Sequence, residues 1–279
     1  MLSIYTNIVD YNNSVFGSSK QITPTKNKKA NTLFDFDKLE KKFDNIMPQF
    51  YTIDFNSIDG KNYVNDYSKN NINIDKKIGN TKQVKNDCWL LTGVNALANT
   101  TAGQDYIKKA IIHHSGDNTI VYFKGVNTTI TIPRIVLGAA KQSNHYVKGD
   151  DDMLAIELAA EYYKKMLIIN NEAMKNSGPH VINGKHSLEN LKDPLAGGFS
   201  SDIMFLLTGK FADVLFNIKN GCSKQIKDVI AKKQKSPDKY ALTCNFKKAE
   251  NGLFIHHAYA IKNVDSKYVT LINPHDSVK

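Results

Sequence analysis

Apolar positions are sparse and irregular over the first 75 residues. The one periodic run there is LFDFDKLEKKFDNIM, in which Leu33, Phe34, Leu39, Phe43 and Ile46 line one face of an expected helix. Asn, Asp, Lys and Ser dominate the rest, and YVNDYSKNNINIDKKIGN forms turns throughout, so it reads as a linker. Residues 1–75 are therefore expected to be a loosely built N-terminal arm, ambiguous between a pro-segment, a partner-binding region and a support for the helical lobe. From Asp87 the texture changes. Leu90, Leu91, Val94, Leu97 and Ala98 cover so much of a helical circumference that this helix should be buried, with the Asp87 side chain as its cap. A second helix is expected over GQDYIKKAIIHH, then strands over TIVYFKG and TTITIP. MLAIELAAEYYKKMLII is the strongest amphipathic helix of the chain, and SDIMFLLTG and SKQIKDVIAKKQ add two more. The remainder, KYALTCNFK, LFIHHAYAIKNV and KYVTLINP, is strand-like. Helices first and antiparallel strands last is the order of an α+β protein with a helical lobe (about 76–235) and a β lobe (about 236–279).

With 279 residues the chain can bury a sizeable core, and 41% apolar against 23% charged residues is ordinary for a globular protein. No window reaches the roughly 18 consecutive apolar residues of a membrane span. The first twenty residues lack the features of a secretory signal, so a cytoplasmic location or export by a signal-less route is expected. A net charge of +10 invites a nucleic-acid partner, but Arg134 is the only arginine and the lysines are scattered, which argues against one. Cys88, Cys222 and Cys244 form no close pair and leave an odd thiol, favouring a reducing compartment and no zinc or redox motif.

Cys88 stands just after the expected cap, beside the only tryptophan, Trp89. A helix N-terminus stabilises a thiolate through its free N–H groups and partial positive charge. Position alone fits both a nucleophile and a core thiol. A nucleophilic cysteine needs an imidazole and a group to orient it. In FIHHAYAIKNV, alternation sets His257, Tyr259 and Ile261 on one face and His256, Ala258 and Ala260 on the other. Asn273 ends the next strand sixteen residues after His257 (273 − 257), a spacing that lets neighbouring antiparallel strands bring the two together.

These residues resemble the calpain-like cysteine peptidases of the papain-fold class. The D-C-W-L-L run (Asp87 to Leu91), the H-A-Y run (His257 to Ile261) and the strand ending in N-P (Leu271 to Pro274) match in order. AIELAAEYYKKM and LAGGFSSDIMFLLTG are similar to two further family segments between them. The resemblance implies a papain-like two-lobe fold for a catalytic domain over 76–279, with a central helix carrying the nucleophile in the helical N-terminal lobe and an antiparallel β C-terminal lobe. It makes Cys88 the nucleophile, His257 the general base and acid, and Asn273 its orienting group. The Cys88 backbone N–H and the Gln83 side chain would hold the oxyanion, although Gln83 lies one residue closer to the cysteine than is usual and is followed by Val84 rather than glycine. Gly197 and Gly198 would bind the substrate backbone, a tight turn being the rival reading.

His256 replaces the usual glycine before the base, and His275 stands where the family has a tryptophan shielding the His–Asn bond. The chain ends six residues after Asn273 (279 − 273), where family β lobes run on, which suggests a truncated or minimal lobe. Asp150, Asp151 and Asp152 are weighed as calcium ligands, but a helix cap near Met153 is the preferred role; no EF-hand loop is present, and no metal or other cofactor is expected to be required. The expected activity is peptide-bond hydrolysis of a polypeptide substrate through an acyl-enzyme. Acyl transfer, amidase activity, or a silent protein-binding papain-fold module are the alternatives.

Overall fold

The run from Cys88 to Ala98 forms α1, and every residue from Trp89 to Leu97 is buried, as an all-round apolar helix requires. The computed structural model describes residues 6–10, 71–113, 118–169, 193–215, 224–246 and 252–276. The helix expected over residues 33–47 and Cys222 lie outside them, as do the first eight of the 18 residues of the expected linker (63–80). After α1 come α2 (Thr101–Ala110), β2 (Ile111–His113), β3 (Asn118–Phe123), β4 (Thr128–Pro133), α3 (Arg134–Gln142) and α4 (Asp151–Ile169). The chain continues through α5 (Ser200–Thr208), β5 (Asp213–Leu215), α6 (Lys224–Lys235), β6 (Tyr240–Asn245), β7 (Ala258–Val264) and β8 (Val269–Ile272); β1 is Thr6–Asp10.

The architecture is α+β, with helices and two antiparallel sheets. The smaller sheet is β2-β3-β4 and the larger is β5-β1-β6-β7-β8. Three expectations change. The second helix stops at Ala110, because Ile111 and Ile112, β-branched residues suited to a pleated surface, pair with Val121 and Ile120. α3 and β5 occur where the sequence pattern predicts no element. The N-terminal segment supplies β1, which pairs with both β5 and β6.

α4 also differs from its amphipathic pattern, since it is buried almost all round, against α1, α3, β3 and β4. Its charged residues Glu157, Glu161 and Lys164 are therefore interior groups, each with a defined partner.

α1 lies between α5 and the larger sheet, where it meets β6 and β7. Its close approach to α5 depends on Gly93, where a Cβ would stand 2.4 Å from Ile203 Cγ2 and 2.9 Å from Ser200 O. The two faces of the sheet separate as alternation predicts. Ala241, Ala260 and Ile272 join the core around α1, while Leu242, Cys244, Tyr259 and Ile261 form a second cluster with Val229 and Ile230 of α6.

Candidate active site

Cys88 is the first residue of α1, half-buried, with its N–H at a helix start where no intrahelical acceptor exists. The Asp87 carbonyl accepts the N–H groups of Leu90 (2.9 Å) and Leu91 (3.3 Å), but its side chain makes no capping bond. This corrects the expected side-chain cap: the carboxyl is fully buried and meets Glu157 of α4 instead. β7 lies directly against this helix start. Thr92 Oγ1 donates to the Ala258 carbonyl at 2.9 Å, and the Ala258 N–H is a hydrogen-bond donor to the Cys88 sulfur.

Ala258 follows His257, which is buried. His257 Nε2 and Asn273 Oδ1 are 2.8 Å apart. Asn273 Oδ1 also accepts the His275 N–H at 3.1 Å, so the amide presents its oxygen and the imidazole donates from Nε2. Nδ1 is then the nitrogen left to take a proton. β7 pairs with β8 through Ala260 and Ile272, which sets His257 and Asn273 at the same end of adjacent strands. His256, the competing histidine, is exposed, and its φ of +53° lies in the left-handed region that favours glycine.

The His275 ring lies parallel to that of His257, with centroids 4.4 Å apart and planes 3° apart, and the Phe254 ring meets both edge-on. An aromatic cover thus stands over the His257–Asn273 bond without an indole. The electrostatics favour a neutral Cys88 thiol and a neutral His257 imidazole, and neither group is a hydrogen-bond partner of the other. Burial, followed by the Asp87 charge, pushes the Cys88 thiol up against the opposing N–H of Ala258. Burial pulls His257 down, the Asn273 bond opposes this, and the charge of His275 adds to it. Cys244, wholly buried, is pushed up to about 12 and is an inert core thiol.

Gln83 is 8% exposed, and its N–H donates to the Pro274 carbonyl at 2.8 Å, which places its loop beside Asn273. Its side-chain Nε2 donates to Lys85 O at 2.5 Å, leaving one further N–H on that nitrogen. Lys85 is itself held: its ammonium pairs with Glu161 and lies 3.8 Å over the Tyr146 ring. Gly197 has φ +69°, donates its N–H to Asn86 O (3.2 Å) and accepts from Lys164 Nζ (3.3 Å). Its backbone groups therefore tie the Gly-Gly segment to the loop ahead of Cys88 and to α4. Gly198 packs on Trp89, where a Cβ would come within 2.6 Å of the indole, and no described residue bonds its backbone groups. Of the two glycines, Gly198 is the one whose backbone groups no described residue engages.

The acidic cluster has structural partners. Asp150 Oδ1 caps α4 through the Met153 N–H (2.7 Å), and its Oδ2 accepts the Gly79 N–H. Asp151 accepts from Asn73 N–H and Lys141 Nζ, and Asp152 accepts the N–H groups of Asp75 and Lys76. Among the described residues no group of three or more His, Cys, Asp or Glu is placed to hold a metal ion. Asp152 is pushed up to about 7, by burial first and by Asp150 next. A carboxyl raised in the folded state contributes stability below its unfolded value near 4, and this is lost as pH rises through about 7. Asp152→Asn should therefore flatten the fall in unfolding midpoint between about pH 4 and pH 7. An unchanged slope in thermal unfolding would refute this.

The charged partners Lys85, Glu157, Glu161 and Lys164 are not among the residues that the sequence pattern singles out. One signal for them exists in the chain: Glu157 and Glu161, with Lys165 four residues on, form an i, i+4 row within an otherwise apolar helix. Comparison with family models, with curated proteins and with solved structures returns no match.

Proposed function

We propose that this chain is a calpain-like cysteine endopeptidase with a papain-like two-lobe fold, cleaving polypeptides through an acyl-enzyme. The observation that supports it most is the 2.8 Å His257–Asn273 bond, made beside a cysteine at a helix N-terminus. His257 Nδ1 takes the Cys88 proton as the sulfur attacks the carbonyl carbon, and the same nitrogen returns it to the leaving amine. Water, deprotonated by His257, then releases the acid and the free thiol. The Cys88 N–H and the second N–H of Gln83 Nε2 donate to the oxyanion. Because the resting thiol and imidazole are both held neutral, proton transfer accompanies attack rather than preceding it. Acyl transfer to an amine or hydrolysis of a side-chain amide would use the same nucleophile.

A second reading, a silent protein-binding module, is favoured by one feature: the Gln83 amide already donates to Lys85 O. Purified protein incubated with casein, with and without calcium, separates the two, with Cys88→Ala as control. Casein hydrolysis by the wild type that is lost in Cys88→Ala is the expected result. Intact casein with both proteins, with and without calcium, would leave the binding module.

A further inference from the structure

Directly behind Cys88, two carboxyl groups meet in the interior. Asp87 and Glu157 are both 0% exposed and in hydrogen-bond contact. Glu157 Oε2 accepts the Val147 N–H at 2.8 Å, whereas Glu157 Oε1 and both Asp87 oxygens have no N–H or O–H donor from any other described residue, the Asp87 carboxyl meeting only its own backbone N–H. Two ionised carboxylates do not face each other away from water, because they repel each other and neither has donors for both of its oxygens. A single proton on Glu157 Oε1 gives that oxygen a donor's role and Asp87 an acceptor's role at once.

We propose that Glu157 is a positioning residue for Cys88: it keeps a proton that it donates from Oε1 to the Asp87 carboxylate, and this shared proton fixes the turn on which the nucleophile stands. The link to Cys88 runs through the backbone, since the Asp87 carbonyl closes the first turn of α1. Its catalytic meaning rests on the peptidase reading; the shared proton does not.

The charges facing the pair from neighbouring elements leave it in need of that proton. Lys85 from the preceding loop attracts both groups but is itself paired with Glu161 on the next turn of α4. Asp193 and the Asp87 charge act in the opposite sense, and Tyr146 bonds to Glu161 rather than to the pair. Burial pushes Glu157 well above the usual carboxylate range, and the Asp87 charge adds to this. Its contribution to stability is therefore complete at acid pH and is lost as the solution rises through its folded-state value.

The test compares wild type, Glu157→Gln and Glu157→Ala by thermal unfolding at about pH 5.5 and pH 9, and by turnover and iodoacetamide labelling of Cys88 near neutrality. Gln keeps a donor for Asp87 and an acceptor for the Val147 N–H without a titrating proton. The wild-type midpoint should fall towards pH 9 by more than that of Glu157→Gln, the contribution of Asp152 being common to both. Glu157→Ala should lose about tenfold or more in turnover and labelling rate, and Glu157→Gln should restore both to within about threefold. Asp87→Asn supplies the donor from the other side and should flatten the profile in the same way, which keeps the test decisive if Glu157→Gln does not fold. Wild-type pH dependence in both conservative variants, or Ala and Gln behaving alike, would overturn the proposal. A flattened profile without hydrolysis in any variant would instead remove the peptidase reading and leave the shared proton standing.

Discussion

Replacing His257 by Ala should lower kcat for peptide hydrolysis by about 10²- to 10⁴-fold, the range supplied by a positioned general acid and base. The expectation comes from where the two adjacent histidines sit. His257 is buried, its Nε2 held by Asn273 and its ring covered by His275 and Phe254, so the direction of Nδ1 is fixed. His256 is exposed, in a left-handed backbone conformation that directs it away from the strand regularity that begins at Ala258. His256→Ala should therefore leave kcat close to wild type, and His256→Gly should be tolerated equally well. Asn273→Ala removes orientation rather than proton transfer and should give a smaller loss than His257→Ala. If His256→Ala abolished hydrolysis and His257→Ala spared it, the base would have been misassigned.

Trp89→Ala should have the largest effect on stability, about 3–5 kcal/mol, which is a large part of the 5–15 kcal/mol typical of a folded domain. The indole is almost wholly buried, donates from Nε1 to Leu195 O at 2.8 Å, supports Gly198 on its face, and has the Lys164 ammonium 5.7 Å from its ring centre. Its loss would open a cavity beneath the Gly-Gly segment and next to Cys88 together. Trp89→Phe should keep most of the packing but leave the Leu195 carbonyl without its donor, at about 1–3 kcal/mol. Urea unfolding of the two variants measures both figures. Equal stability of Trp89→Ala and wild type would contradict the packing described.

Much of this geometry is legible in the chain because it obeys local rules. The all-round apolar pattern of α1, the alternation in β7 that parts Ala260 from Tyr259 and Ile261, and the spacing of His257 and Asn273 each translate directly into placement. The features that stay hidden depend on distant partners. Three-residue strands such as β2 and β5 carry no period of their own and exist because a neighbouring strand pairs with them. The amphipathic pattern of α4 misleads, since a row of Glu and Lys at i, i+4 looks the same whether water or Lys85 and Asp87 lies opposite. The Asp87 side chain, a plausible cap by sequence, turns inward for the same reason.

The place of β1 in the larger sheet bears on how the molecule reaches its folded state. Asn7 is registered against Thr243, so the sheet that presents His257 joins residues from opposite ends of the chain. Pairings of such long sequence separation form late and slowly, because the loop-closure entropy is incurred before any contact rewards it. On a ribosome the strand of residues 6–10 is made first but must wait for β5 and β6, which emerge only after the helical elements around α1. Cys88 thus begins a helix closed by near neighbours in sequence, whereas the strand after His257 belongs to a sheet that is complete only when this most non-local pairing is made.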